Sequence, residues 1–220
     1  YFIYHPNGIY FDLVVNEPSF SLETDTVDLL GKMRVTDSSE NEIFFGFQQF
    51  MREKQAEAKG ISSKLKADPD GLESEKLKEQ LRDLDAEVKK YRKDLVENND
   101  GTFAAKFIYA TEEIVVPDSP VDADGKELDP AFRYHYYKSH YFDHIDFSDE
   151  RMLRTPIFHS KIDDYLEKLT VKHPDSIAVS ARYIIDKSLA NKNVFRYCLV
   201  TITNKYETSN IMGMDAVFVD

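Results

Sequence analysis

The sequence predicts a mainly α-helical fold, a multi-helix bundle preceded by a small and incomplete antiparallel β segment. The main aromatic and β-branched runs that favour strands lie in residues 1–36. From Ser39 onward, apolar residues recur every three or four positions, the spacing that brings them to one face of a helix. Clusters rich in proline, glycine and asparagine separate these stretches and predict breaks between helices. We therefore expect roughly six to eight helices of ordinary length.

The strand signals at the start of the chain indicate an incomplete domain. The four predicted strands are Tyr1–Tyr4, Ile9–Val15, Phe20–Glu23 and Lys32–Val35. Asn7-Gly8 separates the first two and favours the positive φ angles of a tight hairpin turn. So few strands do not form a stable sheet alone. We interpret residues 1–36 as the C-terminal strands of a small β domain and residues 37–220 as an α-helical domain. We expect the chain to be an excised piece of a longer protein.

A charged helical hairpin is predicted near residues 40–98. Ser39 and Glu42 form a capping-box pattern at the start of its first helix. Asp68–Gly71 is predicted to interrupt the helix. Asp70 and Glu73 then form a second capping-box pattern, at the start of the second helix. That second helix carries a heptad stripe of Leu77, Leu81, Leu84, Val88, Tyr91 and Leu95. The stripe favours an antiparallel hairpin within one chain, and the alternative is a coiled coil that makes the hairpin a dimerisation scaffold.

Five further helices are predicted after the hairpin. The first is Phe103–Ala110, and the second has Asp129 as its cap and Pro130 at its first helical position. The last three begin at Thr155-Pro156, at His173-Pro174 and near Asn193. The residues that we expect these three helices to bury are Ile157, Phe158, Ile162, Leu166, Leu169, Ile177, Ala181, Ile184, Ile185, Leu189, Val194, Phe195, Cys198, Leu199 and Ile202.

Composition excludes several classes of protein. The chain has 220 residues and a formal net charge of −12, which repels phosphate backbones, so no nucleic-acid partner is expected. No apolar run approaches the ~20 residues that span a bilayer, so no transmembrane segment is expected in this chain. One cysteine excludes a disulfide framework, a four-thiolate zinc site and a dithiol redox pair within the chain.

The lone cysteine, Cys198, shares its helix face with apolar residues. A nucleophilic cysteine needs some exposure and a lowered pKa, and an apolar face provides neither. We interpret Cys198 as an inert packing residue. No phosphate-binding loop and no nucleophile-elbow pattern is present either, so the sequence predicts no catalytic and no cofactor-binding residue.

Residues 132–147 are unusually rich in histidine and tyrosine. On a continuous helix, His140 and His144 lie four residues apart on one face, as zinc sites require, and Asp143 or Asp146 can supply a third ligand. Tyr141 stands where a metalloprotease has its glutamate base, however, and dense aromatics are typical of a core. We therefore predict no metal site. The alternatives are a metal site that uses His140, His144, Asp143 and the nearby His135, and a ligand-binding groove lined by the aromatics.

Several stretches resemble a known family. They are Tyr136–Asp149 with Leu153–Pro156, His173–Ser176, Thr203–Ser209 and Met212–Val217. These resemble a helical domain of unknown function that lies upstream of the thioredoxin-like domain in extracytoplasmic thiol-disulfide oxidoreductases of Gram-negative bacteria. Tyr10–Leu13 and Phe20–Asp25 are similar to the closing strands of the small β domain that precedes it.

The resemblance implies a compartment and a role. The compartment is the periplasm, or a membrane-anchored extracytoplasmic position, as in a lipoprotein. The role is that of a non-catalytic accessory region, which positions the redox domain or engages partners. The implied partner is a C-terminal thioredoxin-like domain in the parent protein. The redox residues cannot be transferred, because this chain has no C-x-x-C.

Overall fold

The computed structural model describes residues 2–4, 10–207 and 213, and it confirms the mainly α-helical fold. Seven α-helices and four short strands occur in this part of the chain. The chain packs as two compact units, which divide between Tyr109 and Ala110. The division between a β domain and a helical domain near residue 36 stays a prediction.

The strands of the first unit form two separate antiparallel pairs. Strand β1 (Phe2–Tyr4) pairs with β2 (Tyr10–Asp12), and β3 (Ser21–Glu23) pairs with β4 (Arg34–Thr36). The predicted Asn7-Gly8 turn lies outside the described residues. The second strand was expected to reach Val15 but ends at Asp12. The reason is that the Val14 backbone bonds the side chain of Asn41, whose Oδ1 accepts from Val14 N at 2.9 Å and whose Nδ2 donates to Val14 O at 2.7 Å.

The predicted hairpin forms from α1 (Ser39–Ala67) and α2 (Ser74–Asn98), and α3 (Phe103–Ala110) follows. The two long helices run antiparallel, because partners advance along one helix as they retreat along the other. Arg92 lies over the ring of Phe47, Tyr91 stacks on Phe50 at 3.8 Å, and Glu87 pairs with Lys54 at 2.8 Å. The stripe on α2 faces α1, with Leu84 buried at its centre.

Both predicted capping boxes are wrong in detail. The N-cap of α1 is Ser38, whose hydroxyl accepts from Asn41 N at 3.1 Å. Asp37 adopts a left-handed conformation with φ of 61°, so the chain enters the helix one residue earlier than expected. The N-cap of α2 is Glu73, which makes no side-chain capping bond, because backbone turns such as Ser74 N to Gly71 O at 2.9 Å lead into this helix.

The second unit contains α4 (Phe132–His140), a 3₁₀ helix (Glu150–Arg154), α5 (Pro156–Glu167), α6 (Pro174–Ser188) and α7 (Lys192–Glu207). Helix α5 begins at the predicted Thr155-Pro156, with Thr155 as its N-cap. Helix α4 begins two residues later than the predicted first residue, Pro130, because Asp129 forms a turn in which its Oδ1 accepts from Ala131 N at 2.8 Å. None of the helices in the described residues has the length and hydropathy that crossing a membrane requires.

The core of the second unit is aromatic. Phe142 is 2% exposed and lies edge-on to Phe147 at 5.4 Å, and Phe147 in turn contacts Phe158 at 5.3 Å. Tyr141 and Tyr165 are also buried in this cluster. Most of the predicted core positions of α5, α6 and α7 are buried or half-buried.

Two predicted core positions are wrong. Leu189 is 64% exposed, because α6 ends at Ser188 and Leu189 only caps the helix. Leu199 is 44% exposed, because it follows the fully buried Cys198 and so points about 100° further round the helix.

Candidate functional site

The prediction that His140 and His144 share one helix face is wrong. Helix α4 ends at His140. Tight turns follow it, in which Asp143 N bonds His140 O and Ile145 N bonds Phe142 O, each at 3.0 Å. These turns let Phe142 and Ile145 enter the core together with Phe147, which a continued helix would carry to another face.

The candidate metal ligands do not converge on one point. His140 Nδ1 lies 2.6 Å from Asp143 Oδ2, whereas His144 Nδ1 faces the backbone carbonyl of Glu112 at 3.1 Å. Asp146 Oδ1 accepts from the backbone and hydroxyl of Ser148 at 2.9 and 2.5 Å. His135 lies edge-on to Tyr134, with 5.3 Å between the ring centroids. Within the described chain, no three His, Cys, Asp or Glu side chains are grouped to hold a metal ion.

The same stretch of sequence does contribute to a groove. Helices α4, α5 and α6 line a shallow, largely open surface groove of about 860 Å³ in the second unit. Its walls include Phe132, Tyr136, Lys138, Tyr165, Val179 and Tyr183. A mostly apolar pocket of this size with a few polar groups is the usual form of a small-ligand site. We refer to it as the aromatic groove.

Contacts between the helices hold the aromatic groove in shape. Tyr165 and Tyr183 stack with their centroids 5.7 Å apart and their planes at 28°. The Tyr183 hydroxyl donates to Ser139 O at 3.3 Å, and the Tyr134 hydroxyl donates to Leu169 O at 2.7 Å. These bonds join α4 to α6 and to the segment after α5, and they fix the walls of the groove relative to one another.

One cation lines the aromatic groove. Lys138 donates from Nζ to Thr170 Oγ1 at 3.2 Å, and its Nζ lies 5.3 Å from the centroid of Tyr165. Thr170 Oγ1 in turn lies 2.8 Å from Tyr165 O and 2.9 Å from Ser180 Oγ. Burial lowers the pKa of Lys138, and among the described residues no carboxylate offsets that effect. The ammonium group is therefore held in place by neutral groups.

A second cluster was missed by the sequence analysis. His159 Nδ1 lies 2.8 Å from Tyr197 Oη, and its Nε2 lies 3.1 Å from Asp163 Oδ2. An acid, a histidine and a hydroxyl in this order are the parts of a nucleophilic relay. Burial raises the pKa of Tyr197, however, which is opposite to the activation that a nucleophile needs. Asp163 also pairs with Lys205 at 3.0 Å, so the cluster is an ion-pair network between α5 and α7.

The His159 and Asp163 pair carried a detectable sequence signal, because the two residues are four apart on one helix. Tyr197 carried none. It lies on α7, and only tertiary packing brings its hydroxyl to the histidine.

Cys198 lies in the core, as predicted. Its side chain is 0% exposed, and burial raises the pKa of its thiol to about 12 despite a hydrogen bond with Ser188. At neutral pH almost none of this thiol is ionised, and the thiolate is the reactive form. The structure therefore gives Cys198 none of the properties of a nucleophile.

Comparisons with known proteins identify a family. No curated protein and no solved structure matches the sequence. A family model described as a domain of unknown function (DUF5106) matches residues 86–220. This match spans α3 to α7 and includes every residue that lines the aromatic groove. It covers more than half of the chain, and the chain therefore belongs to the DUF5106 family.

Proposed function

We propose that the chain is the non-catalytic accessory region of an extracytoplasmic thiol-disulfide oxidoreductase. The observation that carries the proposal is the state of the only thiol, which is fully buried and has a pKa raised to about 12. Dithiol exchange needs an accessible thiolate and a second thiol that resolves the mixed disulfide. A chain that resembles part of a redox protein but has neither feature suits a positioning or partner-engaging role.

The proposed partner is a thioredoxin-like domain that follows this region in the parent protein. Support comes from the resemblance of Tyr136–Asp149 and Met212–Val217 to the region upstream of such domains. The proposed location is the periplasm, either free or anchored to a membrane. Reading the gene beyond the codon for Asp220 tests this part: a C-x-x-C segment in a thioredoxin-like domain supports it, and an unrelated domain contradicts it.

A biochemical experiment tests the absence of catalysis. The purified chain should not reduce insulin with dithiothreitol as the electron donor at a rate above that of the Cys198→Ala variant. Native Cys198 should also resist iodoacetamide and react only when urea unfolds the chain. Insulin reduction that disappears in Cys198→Ala, or rapid alkylation of the native protein, would contradict the proposal.

The aromatic groove favours a second function, the binding of a small ligand by the second unit. This was one of the alternatives for residues 132–147, and five residues from that range line the groove: Phe132, His135, Tyr136, Lys138 and Ser139. The metal alternative lacks such support, because His140 and His144 turn to different partners. The dimerisation alternative lacks it too, because the stripe on α2 packs against α1 of the same chain.

A further inference from the structure

The walls of the aromatic groove suit a flat or aliphatic apolar group. Tyr165 and Tyr183 present a stacked pair of rings, and Phe132 and Tyr136 lie 5.9 Å apart on the opposing helix. Val179 is 66% exposed on α6 and lines the same groove. Burying such surfaces under a ligand is favourable, because it removes apolar area from water. The aromatic groove is therefore expected to bind the apolar body of a ligand.

The Lys138 ammonium group indicates which polar group a ligand of the aromatic groove carries. Lys138 has three N–H donors, and its one hydrogen bond to a described residue goes to Thr170 Oγ1. Its ammonium group is half-buried in a chain of net charge −12, and it forms no ion pair with a carboxylate of the described residues. A half-buried cation held by neutral groups gains most from an anionic partner.

The described walls of the groove contain a single lysine or arginine, and this matches a ligand with one negative charge. Lys138 is the one lysine or arginine among the groove-lining residues, and Asp175 lies on the wall at the start of α6. A phosphate monoester carries close to two charges at neutral pH and is usually bound by several cations or by arginine forks. A carboxylate carries one charge and matches a single ammonium group.

From these observations we propose that the aromatic groove binds a monocarboxylate with an aromatic or aliphatic body, its carboxylate on Lys138 and its body against Tyr165 and Tyr183. This proposal names the ligand class for the second function above, on which it rests. It does not depend on the redox role of the parent protein.

A matched pair of probes tests the proposal on the full chain. The acid is 3-phenylpropionate and the neutral probe is 3-phenylpropionamide, which has the same body without the charge. Titration followed by NMR should show the acid binding at least about ten-fold more tightly than the amide, the usual scale for a charge-assisted hydrogen bond. The preference should shrink as the salt concentration rises.

Two lysine variants locate the charge. Lys138→Met should remove the preference for the acid and leave weak, equal binding of both probes. Lys187→Met is the matched control, because Lys187 also lies over a tyrosine ring, with Nζ 5.0 Å from the Tyr183 centroid, but does not line the groove. It should keep the full preference.

The outcomes separate the two levels of the proposal. Equal binding of acid and amide by the wild-type chain, or a preference that survives Lys138→Met, would overturn the monocarboxylate assignment and leave ligand binding by the groove in place. Failure of both probes to bind would overturn the ligand-binding function as well. The wild-type comparison decides the assignment even if Lys138→Met does not fold.

Discussion

The long hairpin of the first unit and the short helices of the second are stabilised in different ways. Helices α1 and α2 have 29 and 25 residues, yet α2 buries only Ser74 and Leu84. Their surfaces carry local ion pairs, such as Asp85 with Lys89 at 2.7 Å. Helix α5 has 12 residues and buries four, among them Phe158 and Tyr165, which join a network of aromatic rings. Local interactions dominate in the hairpin, and tertiary packing dominates in the second unit.

The sharpest test of this difference is the same substitution in both regions. Phe142→Ala removes a ring that is 2% exposed and contacts four other aromatic rings, and we expect it to cost about 3–5 kcal/mol of unfolding free energy. Phe50→Ala in α1 removes a half-buried ring that stacks on Tyr91, and we expect about 1–2 kcal/mol. Urea titration followed by circular dichroism measures both. Equal costs would show that the hairpin is packed as a true core.

The start of α1, at the base of the hairpin, should depend on tertiary contacts as the second unit does. Glu40 is 3% exposed, and its carboxylate accepts from Phe103 N at 2.9 Å, from Ala104 N at 2.7 Å and from Asn16 Nδ2 at 2.9 Å. Glu40→Ala leaves these donors without their acceptor and should cost about 2–4 kcal/mol. Glu42→Ala, at an exposed position of the same turn, is the control and should cost little. Similar losses of unfolding free energy for the two variants would show that the hydrogen bonds of Glu40 do not stabilise the fold.

Alkaline pH should destabilise the aromatic unit. Burial raises the pKa of Tyr141, Tyr165 and Tyr206 from 10.0 to about 12, and that of the Cys198 thiol from 9.0 to about 12. The folded state holds these protons more tightly than the unfolded state does, so raising the pH favours unfolding. The contribution is complete below about pH 9 and is lost as the pH approaches about 12. The urea midpoint should fall steadily from pH 9 to pH 11, and an unchanged midpoint would contradict the assigned burial.

A smaller effect of opposite sign is expected at Tyr206. Its hydroxyl is buried and has no hydrogen-bond partner in the described part of the chain. Tyr206→Phe removes this unsatisfied group while keeping the ring, so it should stabilise the protein at pH 7 by up to about 1 kcal/mol. It should also weaken the alkaline loss of stability. Thermal unfolding at pH 7 is the measurement, and a clear loss of stability would show that the hydroxyl has a partner.

The smallest expected effect is that of zinc. His140 pairs with Asp143 and His144 faces a backbone carbonyl, so neither zinc nor EDTA should change the melting temperature. A metal that binds only the folded state raises that temperature by mass action. A zinc-dependent rise that is lost in His140→Ala would restore the metal hypothesis for this stretch.

The sequence predicted the helices better than their ends. Phe103–Ala110 and the break after Ala67 were predicted correctly, because helical periodicity and breaker residues act over a few positions. Ser39 was predicted as the first cap, but Ser38 serves instead. The choice between two adjacent serines depends on the left-handed turn at Asp37.

The candidate site also depends on residues that are distant in the sequence, which local patterns do not reveal. Residues 132–147 were recognised as unusual from composition alone, and the alternatives of a core, a metal site and a groove were all open. Tyr165, Val179 and Tyr183, which complete the groove, lie on other helices, and nothing in their own neighbourhoods distinguishes them from ordinary core or surface positions.

The sequence by itself determined the mainly helical fold, the charged hairpin, the apolar face around Cys198 and the unusual stretch at 132–147. Each follows from periodicity, capping or composition, which act between residues close in the chain. Only the tertiary structure decided that α4 ends at His140, that His144 turns away and that Lys138 meets Tyr165 and Thr170. These outcomes depend on which distant side chains share the core, because burial of Phe142 and Phe147 stabilises the chain more than one further helical turn would.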